Sequence, residues 1–275
     1  MPDGGVRGSR VRLDLSYDGT EYAGWAAQPG RRTVAGELEA ALVRLFGEAI
    51  GLTVAGRTDA GVHATGQVCH VDLPAARWAE IGATAVRRLA GLLPPDIRVR
   101  SAAPVPDTFD ARFSALSRRY EYRVTDAPWG AEPLVARYTL AWPRKLDLAA
   151  LRDASTGLLG EHDFAAYCRR KDFATTIRAV RSFAWHRDGC GILVASVEAD
   201  AFCQGMVRSL VGALLAVGDG RRPASWPAAL LERSGRASEV TVAPAHGLTL
   251  VEVRYPDDPA EYAPRAELTR NRRAP

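Results

Sequence analysis

The segment Ala55-Gly56-Arg57-Thr58-Asp59-Ala60-Gly61-Val62-His63 gathers an arginine, a hydroxyl, a carboxylate and a histidine around two glycines, directly after Thr53-Val54. Such a pattern reads as a short strand ending in a working loop, where glycine lets the backbone turn or come close to a ligand. Asp59 is its centre, because the small neighbours Thr58 and Ala60 leave a bulky group room to approach the carboxylate. An aspartate is ionised at neutral pH, with a reference pKa near ~3.9, and can serve as a nucleophile where no redox group is needed. Thr-Asp-Ala-Gly is equally good turn chemistry, with Asp bonding its own backbone and Gly61 supplying a positive φ. On these residues alone both readings stand.

The rest of the chain narrows the chemistry. Neither lysine, Lys145 or Lys171, follows a glycine, so there is no Walker P-loop. No G-x-S-x-G elbow, H-E-x-x-H pair or dinucleotide fingerprint occurs either. A cofactor-free, metal-free reaction centred on a carboxylate remains. Cys69, Cys168, Cys190 and Cys203 form no C-x-x-C pair and read as reduced thiols of a cytoplasmic protein. The first ten residues lack the apolar core of a signal peptide, and the apolar run Leu210 to Val217 is too short to span a bilayer. A net charge of +4, with only two lysines among 36 basic residues, suits a polyanionic partner gripped by arginine forks. A GC-rich genome accounts for the arginine bias equally well.

Two stretches of alternating elements must carry the loop. Val11, Leu13, Leu15 and Tyr17 alternate with polar residues as a half-buried strand, and Asp18-Gly19 turns the chain. Thr33 caps a helix ended by Gly47. Strands at 52–56 and 69–73, a helix from Trp78 to Leu92 and a strand at 97–100 complete a split βαβ order. Pro104-Val105-Pro106 reads as a boundary. Beyond it lie a strand at 119–124, a short strand near 138–142 and a helix over 147–159. Long strands at 177–187 and 191–199, helices at 206–217 and 227–234 and a strand at 248–255 follow. The predicted layout is a flexible tail at 1–9, α/β domains at 10–105 and 106–256, and a loose tail at 257–275.

The longer string Gly56-Arg57-Thr58-Asp59-Ala60-Gly61-Val62-His63-Ala64 closely resembles the signature of the tRNA pseudouridine synthase A family. Further likenesses run in order along the chain: Tyr17-Asp18-Gly19-Thr20 with Gly24-Trp25, Phe109 to Ser114 with Arg118 to Tyr122, Ala201-Phe202 with Met206-Val207-Arg208, and Gly247-Leu248. The resemblance implies an α+β pseudouridine synthase fold of two ferredoxin-like halves sharing an antiparallel sheet. It also implies a homodimer with a basic cleft, acting on uridines 38, 39 and 40 of the tRNA anticodon stem-loop. It makes Asp59 the catalytic nucleophile and Arg208 the cation paired with it. Tyr120 becomes the aromatic that stacks on the target uracil, and Arg57 and Arg112 become RNA contacts. Arg77 and the cluster Arg169-Arg170-Lys171 are further candidates for gripping phosphate. His63 reads as structural. Cys203-Gln204-Gly205, where relatives often carry histidines, and Asp200, where Asn is often seen, depart from the pattern. A non-catalytic basic RNA-binding protein is the alternative. A carboxylate glycosidase would need a second acid near Asp59, and none lies close in the chain.

Overall fold

Val11, Leu13, Leu15 and Tyr17 are all buried along β1 (Gly8–Tyr17), so the two-residue period of the sequence becomes one face of a sheet. The computed structural model describes residues 8–47, 50–169 and 175–272. Backbone proximity divides the described residues into two units, the first within 8–116 and 252–272 and the second within 117–251. In the first unit, β1 is followed by α1 (Val34–Phe46), whose Thr33 cap accepts from the Gly36 amide and whose end is closed by Gly47 in the left-handed region. A two-residue strand β2 (Thr53–Val54) leads into the candidate loop, and β3 (His63–Pro74) leaves it. The strand β4 (Ile97–Pro104) lies on the other side of β1, giving the order β4-β1-β3 with β2 alongside β3, every neighbour antiparallel.

Four expectations for this unit change. The single helix over 78–92 is broken into α2 (Ala75–Ile81), a 3-10 turn at Gly82–Thr84 and α3 (Ala85–Leu92). The Trp78 indole, stacked on Phe46, lies so near Gly82 that a Cβ there would sit 2.9 Å from the ring. The proline-rich stretch is not where the units divide. β4 runs through Pro104, paired with Val11 at the end of an edge strand, where a missing N–H costs no ladder bond, and the division falls after Leu116. Of the expected flexible start, Gly8 and Ser9 already pair with Pro74 and Leu73, and residues 1–7 lie outside the described residues. The tail expected to be loose is helical over much of its described part, and residues 273–275 lie outside the described residues. A helix α7 (Tyr262–Arg272) buries Tyr262, Ala266 and Thr269. It is held by the Tyr262 ring edge-on to Phe109, by Ser114 Oγ donating to the Tyr262 carbonyl, and by Arg270 on Asp110 at 2.9 Å.

The second unit repeats the grammar. β5 (Ser117–Thr125), α4 (Leu148–Thr156), β8 (Ile177–Arg187), β9 (Leu193–Ala199) and α5 (Met206–Gly218) follow one another, with the short strands β6 (Leu140–Ala141) and β7 (Gly160–Asp163) inserted. The strand order is β5-β9-β8-β7, antiparallel except that β6 runs parallel to β5, a departure from the all-antiparallel expectation. A four-residue helix α6 (Trp226–Ala229) and the closing strand β10 (Leu248–Arg254) come last. Cys168 and Cys203, expected as thiols, are joined in a disulfide with Cα atoms 5.7 Å apart, within bridging range. The Arg169 amide donates to the Gln204 carbonyl and brings these two loops side by side, a pairing 35 residues apart that spacing could not reveal. Among the described residues no helix is long and apolar enough to cross a membrane.

Asp126, at the end of β5, ties three segments of the second unit. Its side chain is only 2% exposed and receives Arg187 at 2.9 Å, Lys145 at 3.1 Å and the Leu146 amide at 3.0 Å. Burial alone would raise the carboxyl's pKa, and these donors outweigh it, holding the group well below the ordinary carboxylate range. A depressed folded pKa stabilises fully above the unfolded value near ~4, and that stabilisation is lost as pH falls through the folded value. Asp126→Asn should therefore cost about 2–4 kcal/mol at pH 7, since Arg187 and Lys145 still reach water. Chemical denaturation from pH 7 down to about pH 2 should show the gap to the parent narrowing on the acid side.

Candidate active site

Asp59 sits half-buried at the tip of a loop whose main chain is fixed from both sides. The Trp25 amide donates to the Thr58 carbonyl at 3.0 Å, the Gly61 amide to the Tyr22 carbonyl at 3.3 Å, and the Val62 amide to the Asp59 carbonyl at 3.2 Å. Gly61, at φ +76°, makes the turn that the sequence implied. The segment from Tyr17 to Trp25 is pressed against this loop so closely that two of its positions must be glycine. A Cβ on Gly24, which also holds φ +99°, would lie 2.8 Å from the Thr58 carbonyl oxygen, and one on Gly19 would collide with the Val62 carbonyl. His63 is buried and structural, as expected: its Nδ1 accepts from the Gly19 amide at 3.0 Å, with Asp18 Oδ1 at 3.1 Å.

The second unit carries Tyr120 and Arg208. Tyr120 lies opposite Val197 on the buried face of β5, its ring edge-on to Phe202 with centroids 5.2 Å apart. Tyr122 points the same way and is core, its hydroxyl donating to the Pro244 carbonyl and its pKa raised by burial. Arg208 lies in the first turn of α5 and is locked to one neighbouring segment in both directions. Its Nε donates to the Ala243 carbonyl at 2.7 Å, and the Ala243 amide donates to the Arg208 carbonyl at 3.0 Å. Gly212 permits this approach, because a Cβ there would strike the Thr241 carbonyl. The departure at position 200 is mild: Asp200 Oδ1 accepts from the Ala179 and Ala201 amides, work that an Asn oxygen does equally.

The candidate RNA contacts differ in how they are placed. Arg57 and Arg112 are exposed, Arg112 beside the loop formed as Asp110 caps the amides of residues 112 and 113. Arg169 is exposed, and Arg170 and Lys171 lie outside the described residues. Arg77 is committed elsewhere, paired with Glu80 in its own helix and donating to the Leu45 carbonyl of α1. A pocket of about 360 Å³ lined by Arg10, Asp107, Asp110 and Arg270 contains none of these candidates. Sequence reasoning gave Gly19 only a turn and Tyr17 only a place on a strand, and assigned no role to Gly24 or Gln67, although Tyr17 and both glycines stood in a stretch it had singled out. Gln67 carried one signal, a polar residue just before the apolar stretch of β3.

A sequence profile described as tRNA pseudouridine synthase matches residues 15–114 and 154–256, well over half of the chain. The chain belongs to the tRNA pseudouridine synthase family. Full-length relatives agree. It is 61% identical to the tRNA pseudouridine synthase A of Frankia casuarinae, across 100% of this chain and 98% of the relative. Identity is 57% with that of Streptomyces griseus, covering 95% and 93%, and 51% with that of Mycobacterium leprae, covering 96% and 96%. Members of this family are isomerases, and the mixed α+β architecture is that of pseudouridine synthases.

For this family member, the close approach at Gly24 makes a stability prediction. Gly24→Ala combines a left-handed φ with contact against the Thr58 carbonyl and should cost about 1–3 kcal/mol. Gly30→Ala has φ +69° but no atom within 4 Å of the new Cβ, so it carries the strain without the collision. Thermal unfolding of both variants should show the larger fall in Tm at position 24.

Proposed function

We propose that this protein converts uridine to pseudouridine at positions 38, 39 and 40 of the tRNA anticodon stem-loop, with Asp59 as nucleophile. The observation that carries the reading is the half-buried carboxylate on a loop whose path is pinned by main-chain hydrogen bonds. Its relatives of 50–61% identity bear the name tRNA pseudouridine synthase A. The reaction is an isomerisation. The N-glycosidic bond breaks, the uracil turns, a C-glycosidic bond forms, and a proton is lost from the ring carbon as the ring nitrogen gains one. Atoms and electrons balance without a redox partner, so the chemistry asks for a carboxylate, a platform for the base and charges to hold the RNA.

In this reading Tyr120 supplies the platform, since stacking on an aromatic ring holds a base of any identity and contributes about 1–3 kcal/mol. Arg208 supplies the cation that favours the ionised carboxylate, and its lock onto Ala243 holds the side chain's stem in place. A uridine in a paired stem must be flipped out of the stack before any carboxylate reaches it. Arg57, Arg112 and Arg169, all exposed, suit contacts to the distorted backbone. Arg170 and Lys171 belong to the same proposal, and Arg77 would first have to leave Glu80. The assembly proposed is a cytoplasmic homodimer, as the family resemblance implies.

Incubation of the purified protein with unmodified tRNA, followed by chemical mapping of pseudouridine, should give product at positions 38 to 40. Asp59→Ala should abolish turnover, a loss of at least about 10³-fold for a covalent nucleophile, while tRNA binding persists in a filter or shift assay. Binding without product in the parent protein would instead describe a non-catalytic RNA-binding protein, and product elsewhere would refute the positions.

A further inference from the structure

The side chain of Gln67 is completely buried in β3, at a place where an apolar residue would fill the core without leaving donors to satisfy. Its amide nitrogen donates to the Gly56 carbonyl at 2.9 Å and to the Tyr17 hydroxyl at 3.1 Å. The Tyr17 hydroxyl lies 2.8 Å from Thr58 Oγ1. Tyr17 and Thr58 are themselves buried. Tyr17 and Thr58 thus share a hydroxyl–hydroxyl bond in which either oxygen can donate. A buried polar chain therefore runs from the middle of β3, through the last residue of β1, to the residues on both sides of Arg57, and ends one residue before Asp59.

We infer that Tyr17 and Gln67 are positioning residues that set the aim of the Asp59 carboxylate through Gly56 and Thr58. The inference rests on Asp59 being the nucleophile. The main-chain bonds from Trp25 and Gly61 fix where the loop runs. The side-chain network fixes how residues 56 and 58 are rotated about that path, and so the direction in which the next Cα–Cβ bond points. Gln67 is fully buried and Tyr17 only 4% exposed, so the part assigned to them is to act through the loop and not by presenting a surface to the substrate. Displacement of a reacting group by about 1 Å costs on the order of 10²-fold in rate, which is the scale on which a lost positioning bond is read.

Tyr17→Phe removes the hydroxyl and keeps the ring that packs on Trp25 at 6.0 Å. On unmodified tRNA its kcat should fall about 10–100-fold while KM stays within about twofold, because RNA-gripping groups are untouched. Thr58→Val should match it, Thr58→Ser should restore kcat to near the parent value, and Tyr17→Phe with Thr58→Val should be no slower than the slower single variant. A role confined to stability would lower Tm and leave kcat intact at a temperature where every variant is folded. Unchanged kcat in Tyr17→Phe or in Thr58→Val, a loss appearing in KM, or additive losses in the double variant would each overturn the inference. Asp59→Ala, assayed alongside, separates the two claims. If it is inactive while Tyr17→Phe and Thr58→Val are fully active, only the positioning role falls. If it is active, both fall together.

Discussion

The contact on which the first unit's function depends is the approach of the chain from Tyr17 to Trp25 against the loop from Ala55 to His63. Two absent side chains make it possible. At Gly19 and Gly24 any Cβ would lie against backbone atoms of the loop, and backbone cannot swing aside as a flexible side chain does. Once the two segments meet, their amides and carbonyls pair, and the loop loses the freedom that surface loops ordinarily keep. The same contact explains why the Tyr-Asp-Gly-Thr turn and the Asp59 loop form one structural feature despite lying some forty residues apart. His63 closes it at one end by accepting from Gly19, and Thr58 at the other by meeting Tyr17.

The second unit solves its own positioning problem by different means. Arg208 is held by a reciprocal main-chain and side-chain lock with Ala243, again through a glycine, Gly212, that lets the segment at 241–243 lie against α5. Tyr120 is held by an aromatic neighbour from the loop that precedes α5, and the disulfide between Cys168 and Cys203 joins that loop to the one after Tyr167. Phe202, Cys203 and Arg208 thus belong to one short stretch in which packing, a covalent link and a helix start follow in succession.

Much of this was legible in the sequence because it depends on local rules. Period-two alternation placed β1, and Thr33 and Gly47 bounded α1. The features that were not legible are those set by distant neighbours. Gly82 interrupts a helical pattern because the Trp78 ring lies over it. Pro104 looked like a linker and is the last residue of an edge strand. The charged tail after Pro256 has a polar composition and is nevertheless docked by Tyr262, whose partner Phe109 is about 150 residues earlier. Asp59, Tyr120 and Arg208 were singled out through motif likeness, whereas Gln67 has no motif to announce it. Its meaning appears only when its partners at positions 17 and 56 are known.

A loop that must present a carboxylate faces a conflict between rigidity and charge. Anchoring a loop through ion pairs to its aspartate would desolvate both partners. The loop anchors described above avoid this conflict. They run through the carbonyls of Gly56, Thr58 and Asp59, the amides of Gly61 and Val62, and the neutral groups of Tyr17, Thr58 and Gln67. Rigidity is therefore supplied by dipoles whose strength does not change when the carboxylate gains or loses charge. These bonds run through groups other than the carboxylate at position 59. A group in the role proposed for Asp59 forms a bond during turnover and must return to the same place afterwards, and neutral anchors of this kind suit that demand.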